Sequence, residues 1–221
     1  MSLKNPKFIK FSRELFHNNG EDFNSLTKAL DKTNSKKLQE ITHFYYFICS
    51  PKDKEVSEEL IIVGITSIME ALMQDQEYLD VFSYFDSVYP KQNKIDDFKE
   101  FKKDYLNKYG ATRKVKSYIN IYLSKKDKED LISSIDIWDN SKTRFNKLKS
   151  IDEFSELLYR MRSEFVHEAK MEHLNLDGCH FSVTVVGKCV LKIKINIKEF
   201  KETFERSFVK YWSERPNSDL K

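Results

Sequence analysis

Only nine of the 221 residues are glycine or proline, five and four respectively, and this shortage constrains the fold more than any other feature of the sequence. An average chain would carry roughly 12% of the two together. Sandwiches and barrels need a tight turn every 8–12 residues or so, about once per short strand. The glycines stand at 20, 64, 110, 178 and 187, too far apart for a Walker loop or a G-x-G-x-x-G fingerprint. What the chain can build is long helices.

Apolar periodicity locates them. Steps of three and four predict helices over 6–18, 22–31, 36–49, 54–74, 76–88, 95–109, 112–123 and 126–138. Asn18-Asn19-Gly20 stops the first, Ser50-Pro51 follows the third, Pro90 the fifth and Gly110 the sixth. The clearest helix is 151–171, where Ile151, Phe154, Leu158, Met161 and Phe165 form one stripe. Ser150 and Glu153 precede it as an S-x-x-E capping box, which satisfies the orphan amides of a helix start.

After residue 178 the period falls to two. Phe181, Val183 and Val185 alternate with polar residues, as do Leu191, Ile193, Ile195 and Ile197, with Val186-Gly187-Lys188 as the turn between them. The pattern predicts a hairpin over 180–197, then a helix at 198–213 with Phe200, Phe204, Phe208 and Trp212 four apart. An isolated hairpin is marginal in water, so this one must lie on the bundle or pair with another chain. The expected fold is mainly α, a multi-helix up-and-down bundle with one C-terminal β-hairpin followed by a helix. It divides into an N-terminal helical extension packed on the core at 1–53, a helical bundle at 54–178, the hairpin and last helix at 179–214, and a loose tail at 215–221.

Thirty-eight basic residues against thirty-five acidic leave a net charge of +3, so no blanket attraction to nucleic acid is expected, while a local patch stays open. The basic residues are mostly lysine; the seven arginines are at 13, 113, 144, 160, 162, 206 and 215. Cys49, Cys179 and Cys189 form no C-x-x-C pair, and an odd count suits a reducing compartment. The opening MSLKNPKFIKF lacks an apolar signal core, and the longest apolar run, 60–69, is too short to span a bilayer. The expectation is a cytoplasmic protein with no membrane partner.

Most searches for chemistry find nothing. No H-E-x-x-H or G-x-S-x-G occurs. His167 and His173 are six apart, about 120° on a helix, where zinc ligands on one helix want i, i+4. Together with Cys179 and His180 they read as separate surface and hairpin residues, not as a metal cluster, and no cofactor or metal is expected. Cys49 sits in an apolar helix and reads as a buried inert thiol. The run Phe44-Tyr45-Tyr46-Phe47 reads as core rather than as a base-stacking platform.

One segment stands out, LLYRMRSEFVHEAK at 157–170. Two of the seven arginines share a helix with a histidine, Ser163 and two glutamates. A histidine titrating near ~6.5 moves protons at neutral pH, and a guanidinium holds phosphate in bidentate geometry. Together they suit metal-free cleavage of RNA, in which the 2′-OH attacks the adjacent phosphorus and arginine stabilises the developing charge. DNA lacks that hydroxyl. The plain alternative is a solvated helix face laced with i, i+3 and i, i+4 pairs.

Arg162-Ser163-Glu164-Phe165-Val166-His167 resembles the signature of the HEPN superfamily (higher eukaryotes and prokaryotes nucleotide-binding), arginine followed after four to six residues by histidine; Arg160 to His167 also fits. The form LYRxRSxFVH is most similar to the Apea-like group, as are ITSIMEALM at 65–73, with Glu70, and NKYGATRKVKSYINIYL at 107–123. The sequence departs from relatives in Glu168-Ala169-Lys170, where they often carry glycine. The resemblance implies a HEPN-like bundle at 54–178, homodimerisation with the motif lining a cleft between protomers, and metal-independent endoribonuclease activity. It places His167 as general base or acid and Arg162 at the phosphate or positioning the site, with Arg160 and Ser163 assisting. It also implies defence or toxin–antitoxin roles, with an antitoxin-like protein partner. Other members are inactive, so a non-catalytic module binding nucleotide, RNA or protein is the alternative reading. A structural dimer built through the hairpin edge or the Phe-rich last helix is a third.

Helix geometry adds a division of labour. At 100° per residue, Arg160 and His167 fall within about 20° of each other opposite the apolar stripe, and Ser163 about 40° from His167. Arg162 lies about 140° from His167, beside the stripe, where a charge needs a carboxylate partner. Glu70, set in an apolar helix, is the expected one.

Overall fold

The computed structural model describes residues 5–49, 58–73, 81–88, 98–139, 146–168, 182–186 and 189–215. In chain order these form α1 (Pro6–Asn18), α2 (Phe23–Ala29), α3 (Lys32–Cys49), α4 (Glu58–Leu72), α5 (Val81–Val88), α6 (Phe98–Tyr109), α7 (Ala111–Tyr122), α8 (Lys125–Ser133), β1 (Ile135–Asp139), β2 (Asn146–Lys147), α9 (Ile151–Glu168), β3 (Ser182–Val186), β4 (Cys189–Ile193) and α10 (Ile197–Glu214). The fold is mainly helical with a C-terminal hairpin followed by a helix. The expected helix segments at 54–57, 74–80, 95–97 and 169–171, the turn residues Gly187 and Lys188, and the tail at 216–221 lie outside the described residues.

One expected helix is corrected. The apolar spacing of Leu131, Ile132 and Ile135 reads as helix through 138, but α8 ends at Ser133. The Ser134 amide donates back to Asp130 and Leu131, while its carbonyl accepts from the Lys194 amide at 2.8 Å. From there Ile135 and Ile137 alternate with polar neighbours as β1 and pair antiparallel with β4, Ile135 opposite Ile193 and Ile137 opposite Leu191. The sheet order is β2-β1-β4-β3. The hairpin therefore finds its support within its own chain. Ile135, Leu191 and Ile193 are buried, so the inner face of the sheet joins the core.

Helix α10 lies along that core. Its start is fixed by a reciprocal cap, in which the Glu199 amide donates to Asn196 Oδ1 at 2.8 Å and the Asn196 amide to Glu199 Oε2 at 3.3 Å. Phe200, Phe204, Phe208 and Trp212 are all buried. Phe208 meets Phe16 of α1 at 6.1 Å between ring centroids, Phe204 meets Tyr45 of α3 at 5.0 Å, and Tyr211 meets Tyr122 of α7 edge-on at 5.0 Å. The Tyr211 hydroxyl donates to the Leu72 carbonyl of α4 at 2.9 Å. One apolar cluster thus runs through α1, α2, α3, α4, α7, α8, α9, α10 and the sheet.

Helix α4 packs against α3, α7 and α9. A Cβ on Gly64 would sit 2.6 Å from Ile48 Cδ1, so the glycine permits the close approach of α3. Gly110 joins α6 to α7 as a single residue; a Cβ there would lie 2.3 Å from the Leu106 carbonyl oxygen, a backbone atom that cannot step aside.

A half-buried carboxylate links α3 to α10. The Tyr45 hydroxyl donates to Glu205 Oε1 at 2.8 Å. Burial holds the Glu205 carboxyl above its ordinary value, against the opposing pull of that hydroxyl and of Lys201. The folded protein binds this proton more tightly than the unfolded chain, so the group's contribution to stability falls as pH rises through the raised value. Glu205→Gln, which still accepts from Tyr45, is expected to flatten the decline of urea-unfolding stability with rising pH above about 4.3; identical profiles for both proteins would refute the assignment.

Candidate functional site

The site is built on α9. Ser150 accepts from the Glu153 amide at 3.3 Å, and the Glu153 carboxylate accepts from the Lys149 amide at 2.8 Å. The reciprocal half of the expected capping box is therefore displaced by one residue, onto Lys149. Phe154, Leu157 and Leu158 are buried, and Ile151, Met161 and Tyr159 pack partly buried against the same cluster. This face turns α9 toward α4 and α7. An ion pair of 2.6 Å between Lys116 of α7 and Asp152 fastens its first turn.

The structure sorts the residues singled out by sequence into two groups. Arg162 lies on the α4 side, its Nη2 3.2 Å from Glu70 Oε2, with both side chains about four-fifths buried. The expected ion pair is present, yet its angle is not that of a hydrogen bond. Glu70 Oε2 and Arg162 Nε are buried and have no hydrogen-bond partner among the described residues. The Arg162 guanidinium also lies 5.9 Å from the centre of the Tyr159 ring, at the outer reach of a cation–π contact. Arg160 and His167 are exposed, and Ser163 is half-buried. No hydrogen bond or ion pair joins these three among the described residues.

This arrangement gives the two arginines different chemistry. Arg162 is committed to a carboxylate in a low-dielectric setting, where the attraction is strong and removal of one partner strands the other. Arg160 shares the solvent face with His167, one free to hold an anion and the other to exchange a proton. Neither a protein-family model, nor a curated protein, nor a solved structure matches this chain.

The remaining candidates resolve unevenly. Among the described residues no group of three or more His, Cys, Asp or Glu side chains is placed to hold a metal ion; His173, Cys179 and His180 lie outside them. No described helix is long and apolar enough to cross a membrane. Burial pushes the Cys49 thiol up to about 11, which leaves it protonated and unreactive at neutral pH. The aromatic run of α3 divides: Tyr45 and Tyr46 are buried, as expected, whereas Phe44 and Phe47 are 44% and 61% exposed.

Sequence reasoning passed over a polar groove of about 390 Å³ where α8, β4 and α10 meet, lined in part by Asp130, Ser134, Lys194, Glu202, Thr203 and Arg206. Its cations are already engaged, Lys194 with Asp136 at 2.7 Å and Arg206 with Asp127. These residues come from segments some 60 or more positions apart and share no motif, so nothing in the sequence signalled the groove.

Arg162→Ala leaves the Glu70 carboxylate buried without its counter-charge and is expected to destabilise the fold by about 2 kcal/mol, below the range for fully buried pairs because both groups keep some solvent contact. Arg160→Ala is expected to stay within about 0.5 kcal/mol of the parent protein. Thermal melts of the two variants side by side check the division; equal melting temperatures would sink it.

Proposed function

We propose that this protein is a metal-independent endoribonuclease of the HEPN type, acting as a cytoplasmic homodimer. The observation that carries the reading is the sorting of charges on α9. Arg162 is held against Glu70, while Arg160 and His167 stand together on the solvent face, as the Arg/His resemblance requires of a site open to RNA. In this reading His167 takes the proton from the 2′-OH or delivers one to the leaving 5′-oxygen. Arg160 binds the phosphate and stabilises the charge that develops on it. Ser163, one turn before His167, hydrogen-bonds the imidazole or the phosphate. Arg162 is a positioning residue that acts through the set of α9 on α4. The second protomer supplies the other wall of the cleft, and an antitoxin-like protein is the natural partner to close it.

One observation favours a second reading, a non-catalytic module that binds nucleotide, RNA or protein. Of the two arginines that fit the motif, the one spaced by four residues from His167 is engaged by Glu70 and so withdrawn from any phosphate.

The deciding experiment is cleavage of a labelled mixed-sequence RNA in EDTA, comparing the parent protein with His167→Ala and Arg160→Ala. Cutting is expected to persist in EDTA, to leave 2′,3′-cyclic phosphate ends, and to fall by about 100-fold or more in the folded His167→Ala variant, the scale of a lost general acid or base. Binding without cutting at any protein concentration would transfer the conclusion to the second reading.

A further inference from the structure

The sheet has two edges, and they are built differently. On one side it ends in β2, only two residues long, with Lys147 exposed. A very short strand carrying a lysine is one way proteins keep a foreign strand from pairing at an edge. On the other side it ends in β3, five residues long, Ser182-Val183-Thr184-Val185-Val186. Four of the five are β-branched, and none is charged, proline or glycine. The composition favours a strand, and nothing in it blocks further pairing. β3 pairs with β4 along its whole length, from Ser182 opposite Ile193 to Val186 opposite Cys189. Among the described residues no strand pairs with its other side. The backbone N–H and C=O groups along such an edge are a template for one more strand.

The sequence of β3 fits a second copy of itself. Residues opposite each other in a sheet share a face, so a twofold axis between two antiparallel β3 strands must pass through a residue. Centred on Thr184, the axis pairs all five residues: Ser182 with Val186, Val183 with Val185, and Thr184 with its own copy. Centred on Val183 or Val185, it pairs only three. In the full register valine meets valine, threonine meets threonine, and no like charges oppose each other. The other surface that the sequence offers for self-association, the Phe-rich stripe of α10, is consumed by the core.

The same symmetry bears on α9. That helix packs against β3, and its apolar face belongs to one cluster with Ile135, Leu191 and Ile193 of the sheet. An axis normal to the sheet keeps both inner faces on the same side, so the two α9 helices would flank it.

We propose that two copies of this chain join edge to edge through β3, antiparallel about a twofold axis at Thr184, as one continuous sheet. This rests on the homodimer of the reading above and names its surface. A ladder of five residues is smaller than a standard interface, so the dimer is expected to exchange with monomer.

The test is sedimentation velocity across a micromolar concentration series. Val183→Glu/Val185→Glu sets carboxylates opposite each other twice across the axis, whereas Val183→Glu/Val185→Lys removes the same valines and sets opposite charges there. In both variants the new carboxylate at position 183 falls opposite Lys192 of β4, which favours the hairpin. The first variant is expected to dimerise about tenfold or more weakly than the second, because directly opposed like charges destabilise strand pairing and opposite charges support it. In the unaltered chain, amide hydrogen exchange over 182–186 is expected to slow as concentration rises, which needs no variant to fold. Equal dissociation constants for the two variants would overturn the proposal and leave a homodimer built elsewhere. So would exchange over 182–186 that ignores concentration while the protein dimerises. A parent protein that stays monomeric throughout would remove the homodimer reading as well and leave the edge to a strand of another protein. RNA cleavage by the same samples reports separately on the ribonuclease.

Discussion

The aromatic stripe of α10 is the contact on which the rest of the molecule depends. Phe200, Phe204, Phe208 and Trp212 recur every four residues and are buried along the whole helix. Two of them reach three other helices: Phe208 meets Phe16 of α1, and Phe204 meets both Tyr45 of α3 and Tyr118 of α7. Helices near the start of the sequence are thereby joined to its end through ring-on-ring packing, which combines large buried area with preferred geometry. Two hydroxyls of the cluster are satisfied, Tyr118 by a shared hydrogen bond with Ser207 at 3.1 Å and Tyr211 by donation to the Leu72 carbonyl of α4, whereas Trp212 Nε1 is buried without a hydrogen-bond partner among the described residues. A helix held on so many sides fixes where α4 and α7 stand, and α9 packs on those two.

The position of α9 then determines what its side chains can do. Its apolar face is consumed by α4 and α7, and Arg162, at the border of that face, meets Glu70. Burying a charge beside a carboxylate costs solvation that an exposed pair would keep, which makes the pair a device for registering two helices rather than a source of net stability. The outcome is a helix with one arginine sealed against its neighbour and another, Arg160, left with His167 in solvent.

Much of this was legible beforehand because it rests on local periodicity. The stripes of α9 and α10 repeat over four or five turns, and a signal of that length admits no competing reading. The angle between Arg162 and His167 followed from the same arithmetic, and with it the need for a partner such as Glu70. The shorter signals failed for a physical reason. Leu131, Ile132 and Ile135 satisfy a helical spacing, while Ile135 and Ile137 satisfy a strand spacing, and the span is too brief for the sequence to choose. Pairing with β4, more than fifty residues later, makes the choice. Likewise Phe44 and Phe47 share the aromatic run of Tyr45 and Tyr46, and only the placement of α1 and α10 decides which rings are covered.

What the sequence by itself determined is the set of helices, the hairpin, and which residues share a face of α9, because these follow from backbone geometry within a few turns. What only the tertiary structure decided is the company those faces keep: the ion pair between Arg162 and Glu70 and the strand β1 that supports the hairpin. Charge and burial at those places depend on elements distant in the chain being brought together by the core, and no local pattern encodes that meeting.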